Sequence, residues 1–130
     1  MMNTRVISNI SQLQYESDSW KRMIEFIIQE NAHAKNRLAE VIKNNPGEHV
    51  FLDLAEFYQN YFIQQETLAS LLRNDIYSFD KVLQKQKIED EQLIKEILRN
   101  RKQLKSELDK LINEFNRSKK QFDNFVEANS

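Results

Sequence analysis

The chain has 130 residues and no cysteine, one glycine, one proline and one tryptophan. Without cysteine it can form no disulfide, no thiolate metal site and no thiol nucleophile, and a cytoplasmic setting is the expectation. Pro46 and Gly47 stand side by side, so the rest of the chain lacks the punctuation that a turn-rich β fold needs. One glycine cannot build a phosphate-cradling loop, and no nucleotide motif is present. No apolar run approaches the roughly 18 residues of a membrane span. Nothing after Met1 reads as a signal peptide, because no sustained apolar stretch follows Arg5. His33 and His49 are the only histidines. Nucleophile–base–acid constellations therefore have almost no material, and no enzyme activity, cofactor or small-molecule substrate is expected.

What the chain does have is helical periodicity. With 40% hydrophobic and 30% charged residues it can fill a narrow core under long solvated helices, and its length is that of one domain. The clearest signal is a seven-residue repeat near the C-terminus. Ile94, Ile97, Leu104, Leu108, Leu111, Phe115, Phe122 and Phe125 follow steps of three and four, interrupted by Arg101 and Ser118. Such spacing keeps one apolar seam along a supercoiled helix.

Two further helices precede it. The first is read over about 11–44, opened by the capping-box spacing of Ser11 and Gln14. Its seam is Leu13, Ser17, Trp20, Ile24, Ile27, Asn31, Ala34, Leu38 and Val41. The residues before Ser11 read as a frayed terminus. Asn44-Asn45-Pro46-Gly47 stops it, since Asn tolerates a left-handed cap and Pro cannot continue the ladder. The second helix is read over about 48–86, with Ala55, Tyr58, Phe62, Gln65, Ala69, Leu72, Ile76, Phe79 and Leu83 flanked by Leu54, Tyr61, Leu68 and Val82. So wide a stripe suits contact with two neighbours. The third helix is read over about 90–127. Lys81, Lys85 and Lys87 are followed by Glu89, Asp90 and Glu91, bases and then acids, as a helix end and a helix start favour. That places a tight turn near 86–89. The rival is one helix from about 48 to 127, about 120 Å long, which would need a partner chain along its length. The expected fold is all-α: an antiparallel up-down-up three-helix bundle of long, coiled-coil-like helices in a single domain.

Charge is uneven although the net is −1. Residues 51–80 hold Arg73 against Asp53, Glu56, Glu66, Asp75 and Asp80, and residues 95–120 hold nine bases against four acids. The plain explanation is that the third helix packs beside an acidic neighbour. The sharper one is a nucleic-acid or anionic surface. The aromatics near those bases fall on the seam, which argues against nucleic acid. Glu30 and His33 have the Glu-x-x-His spacing of di-metal bundles, but His49 offers no second copy and no metal site is expected.

Five large apolar residues lie off the seams: Phe26, Phe57, Ile63, Leu71 and Tyr77. They point to a protein partner, or to a homodimer face. The seam interruptions suggest a register-setting polar layer. A turn near 88 makes the last two helices pair residues whose numbers total about 176, which sets Asp75 level with Arg101. The same logic at the first turn brings Ser17 to that level. An Asp75–Arg101 ion pair beside Ser17 is the expectation.

The run Trp20-Lys21-Arg22-Met23-Ile24-Glu25-Phe26, with Phe57-Tyr58-Gln59-Asn60-Tyr61-Phe62-Ile63-Gln64-Gln65-Glu66 after it, resembles short bacterial all-helical proteins of unknown function over residues 11–83. The resemblance implies a bundle in a bacterial cytoplasm and carries over no functional residue. The function expected from the sequence is a non-enzymatic interaction or scaffolding bundle that self-associates; the alternative is a nucleic-acid or anionic-surface binder using the basic face of the third helix.

Overall fold

The computed structural model describes residues 4–85 and 90–129, with side chains from Ile10 onward. Among the described residues there are three helices: α1 (Thr4–Asn44), α2 (His49–Leu83) and α3 (Glu91–Asn129). Gln14 and Lys21 of α1 bond to Leu83 and Asp80 near the end of α2, while Asn31 bonds to Phe62 further back. The first two helices are therefore antiparallel. Links from α1 to α3 join Glu16 to Arg101, Arg37 to Asp123 and Asn45 to Asn129, so these two run parallel. The architecture is the up-down-up, all-α three-helix bundle.

The start of α1 departs from the sequence reading. The helix is already running at Thr4, so Ser11 caps nothing, and Gln14 donates across the bundle to the Leu83 carbonyl at 3.3 Å. A helix held by tertiary packing needs no cap at an internal position. The end of α1 is as expected. Gly47 takes φ 93°, the left-handed region that a β-carbon disfavours. Asn45 locks the corner: its Nδ2 donates to the Val41 and Asn129 carbonyls, both at 2.9 Å. That ties the last turn of α1 to the last turn of α3.

At the other corner, the turn expected at 86–89 lies outside the described residues. Its flanks are clear. α2 ends at Leu83, and α3 starts beside Asp90, whose Oδ1 accepts from Gln92 N at 2.9 Å and whose carbonyl accepts from Ile94 N at 3.1 Å. An acid capping the first turn matches the helix dipole. Because α3 returns to pack on both α1 and α2, the single long helix is excluded.

The core falls into two clusters. One holds Leu13, Trp20, Ile24 and Ile27 against Leu72, Ile76, Phe79, Leu83, Ile97, Leu104, Leu108 and Leu111. The other holds Leu38, Val41, Phe51, Ala55, Phe62, Phe122 and Phe125. The second is largely aromatic. Phe62 meets Phe122 edge-on at 4.8 Å, and Phe51 stacks on Phe125 at 5.6 Å. Each such ring contributes about 1.5–3 kcal/mol by burial. Between the clusters lies a small cavity of about 40 Å³. Asn31 sits there, buried, with Nδ2 donating to the Phe62 carbonyl at 2.9 Å.

Candidate interaction surfaces

The expected polar layer is only half formed. Ser17 is fully buried, and its Oγ has no hydrogen-bond partner. Arg101 does interrupt the seam of α3, but it turns toward α1 and not toward α2. Its Nε and Nη2 donate to the two carboxylate oxygens of Glu16, at 3.0 and 2.7 Å. This bidentate hydrogen bonding raises the Arg101 pKa further. Asp75 is exposed and borders the groove between α2 and α3. The Asp75–Arg101 pair is thus not made. A seam residue in a three-helix bundle can face either neighbour, and spacing along the chain does not say which.

The buried charge lies elsewhere. Asp80 is 6% exposed. Its Oδ2 accepts from Lys21 Nζ and from Gln84 Nε2, both at 2.7 Å. Burial alone would lower the Lys21 pKa, but the hydrogen bond and charge of Asp80 outweigh it and hold the ammonium above its usual value. Sequence reasoning missed this pair. A carboxylate one residue after a core aromatic, Phe79, was the available sign.

The five off-seam residues are all exposed, as expected, but they do not share one face. Phe26 and Tyr77 border a shallow depression over α1, and Phe26 also packs edge-on against Phe115 of α3 at 6.1 Å. Ile63 sits with Leu38 and Ile42 in a separate groove between α1 and α2. Phe57 stacks on Tyr61 at 6.3 Å, and Leu71 lines the α2–α3 groove. That groove is about 510 Å³. Two residues read as flanks of the core stripe change place: Leu54 and Leu68 are exposed rather than covered by a second neighbour. Leu54, Phe57, Leu68 and Leu71 are 46%, 60%, 48% and 57% exposed. With Tyr61 and Gln64 they follow steps of three and four, a second stripe along α2 that α3 touches at Tyr61 and otherwise leaves largely open.

Near this stripe, Tyr61 Oη donates to Glu114 Oε1 at 2.8 Å, and Arg117 grips the same carboxylate at 2.6 and 2.8 Å. Burial, reinforced by Glu114, pushes the Tyr61 phenol up to about 12. The hydrogen bond from Arg117, then that from Tyr61, lowers the Glu114 pKa.

α3 packs beside the acidic α2, with Asp75 bordering the groove between them, but no acid of α2 forms an ion pair with α3 among the described residues. Two acids of α2 pair with α1, Asp80 with Lys21 and Glu66 with Lys35. Among the described residues, Arg101 is the one base of α3 that reaches an acid on another helix. Glu30 and His33 border the small cavity, with His33 exposed. No group of three or more His, Cys, Asp or Glu among the described residues is arranged to hold a metal. No helix among them is long and apolar enough to cross a membrane. No protein-family model, no curated protein and no solved structure matches this chain.

Proposed function

We propose that this chain is a non-enzymatic interaction or scaffolding bundle that self-associates through the second apolar stripe of α2. The observation that carries the reading is the alignment of Leu54, Phe57, Leu68 and Leu71, each near half exposed, on one flank of a helix whose other flank is already in the core. The stripe is about 26 Å long at about 1.5 Å per residue. Scattered surface leucines need no explanation, but an aligned set beside an open groove is the pattern of a helix-packing face. A second copy presenting the same stripe would interdigitate with it as helices do in bundles. The resemblance to bacterial helical proteins adds a cytoplasmic setting to this proposal.

Light scattering on the purified chain tests it. The expected mass is twice that of the monomer, falling to the monomer's in Phe57→Asp with helicity unchanged. A monomer at every accessible concentration overturns the reading. So does a loss of helicity in Phe57→Asp, which would make Phe57 part of the core.

A further inference from the structure

We propose that the outward edge of α3, from Lys95 to Asn124, binds the phosphodiester backbone of duplex nucleic acid without regard to sequence. Steps of four and three from Lys95 pass through Arg99, Lys102, Ser106, Lys110, Asn113, Arg117, Lys120 and Asn124, and every one of these residues is exposed. That line faces away from the buried seam of Ile97, Leu104, Leu108, Leu111 and Phe122. It contains no acid. Asp109 borders it and is held by Lys105 at 2.9 Å.

The line is not a consequence of bulk composition, because the whole chain carries a net −1. Off the row, five bases pair across helices: Lys21 with Asp80, Lys35 with Glu66, Arg37 with Asp123, Arg73 with Glu25 and Arg101 with Glu16. Among the described residues Lys95, Arg99, Lys102, Lys110 and Lys120 have no acidic partner, and Arg117 has only Glu114, three residues back. Like charges four apart, such as Lys95 and Arg99, weaken their own helix, so a single-sign row is a cost that a polyanion removes.

The chemistry of the row selects the polyanion. No aromatic side chain lies on it to stack on bases, which sets single strands aside. No apolar side chain lies on it to enter a bilayer, since the apolar face of α3 is buried against α1 and α2. What remains is lysine and arginine interspersed with serine and asparagine, the donor set that contacts phosphates. The row is about 44 Å long, at about 1.5 Å per residue, longer than the roughly 34 Å of one duplex turn. With α1 and α2 packed behind it, α3 meets backbone rather than base edges. Of the acids of α2, Asp75 lines the same groove as Lys110, at one edge of the row.

The test is fluorescence anisotropy of a labelled mixed-sequence DNA duplex titrated with the full chain at several salt concentrations. Six phosphate contacts, one from each base of the row, give a slope of about −5.4 in log affinity against log salt, so binding weakens about 1,800-fold between about 50 and 200 mM. Neutralising Arg99→Gln, Lys102→Gln, Arg117→Gln and Lys120→Gln together leaves Lys95 and Lys110 and should reduce the slope to about −2, with circular dichroism unchanged. A control set of exposed bases on α1 and α2, Arg22→Gln, Lys43→Gln and Lys81→Gln, should leave the slope as it was. The proposal is overturned by no binding at low salt, by a slope that the four substitutions leave intact, by tighter binding to a single strand, or by binding to phosphatidylserine vesicles but not to the duplex.

Discussion

Arg101 of α3 holds Glu16 of α1 through two parallel hydrogen bonds, at 3.0 and 2.7 Å, with about a third or less of either side chain exposed. This planar two-point contact is stronger than a surface ion pair and weaker than a fully buried one. Glu16→Gln or Arg101→Gln should therefore cost about 1–2 kcal/mol in urea unfolding. Asp75→Asn should change stability by less than about 0.5 kcal/mol, because Asp75 is exposed and unpaired. Equal costs at Glu16 and Asp75 would contradict the geometry.

The same pair shows what sequence can and cannot fix. Ser17 was expected level with Arg101, and Arg101 does meet the residue beside Ser17. Height along the bundle follows from turn positions and a constant rise per residue, so it was legible. Azimuth was not, because an interruption in a seam can point to either neighbouring helix. Leu54 and Leu68 failed for the same reason. They widen the apolar stripe of α2 as a second contact would, yet α3 sits to one side and leaves them open. Asn45, Pro46 and Gly47 were legible because each acts locally. So was the start of α3, where acids follow bases. The start of α1 was not, since a helix supported by tertiary packing passes through Ser11 without a signal.

Among the described residues, Lys21 and Asp80 make the most deeply covered ion pair, at 2.7 Å with side chains 20% and 8% exposed. Removing one member strands the other in partly apolar surroundings. Asp80→Ala should cost about 3 kcal/mol, whereas Lys21→Met combined with Asp80→Leu should lie within about 1 kcal/mol of the parent. A double-mutant cycle on urea midpoints reads the coupling. If the double substitution is as damaging as the single one, packing rather than charge is what the pair provides.

Tyr61 adds a pH signature at the alkaline end. Its folded pKa is pushed up to about 12 by burial and by Glu114, against about 10 for an exposed phenol. Between those values the folded chain keeps a proton that the unfolded chain has lost. Stability is therefore intact below about pH 10 and falls as pH rises toward 12. Lys21 and Tyr58, both also raised, contribute in that direction, so the informative quantity is a difference. Tyr61→Phe should lose less stability than the parent between pH 8 and pH 11, measured by urea midpoint. Identical losses would mean that Tyr61 is not the group that titrates.

Ser17 and Asn31 interrupt the same seam of α1, and the structure treats them oppositely. Asn31 is buried but satisfied, donating to the Phe62 carbonyl at 2.9 Å. Asn31→Ala leaves that arrangement broken beside a cavity and should cost about 1–3 kcal/mol. Ser17 is fully buried with an Oγ that meets no partner. An unpaired buried hydroxyl is a net penalty, and alanine is the better helix former at the same position. Ser17→Ala should therefore raise stability by about 1 kcal/mol, while the bulkier Ser17→Leu should lower it by about 1–3 kcal/mol through overpacking. Thermal unfolding of the two variants separates the cases. A drop in melting temperature for Ser17→Ala would mean that the hydroxyl is paired in solution, and that the core around Trp20 and Ile24 tolerates polarity better than its burial implies.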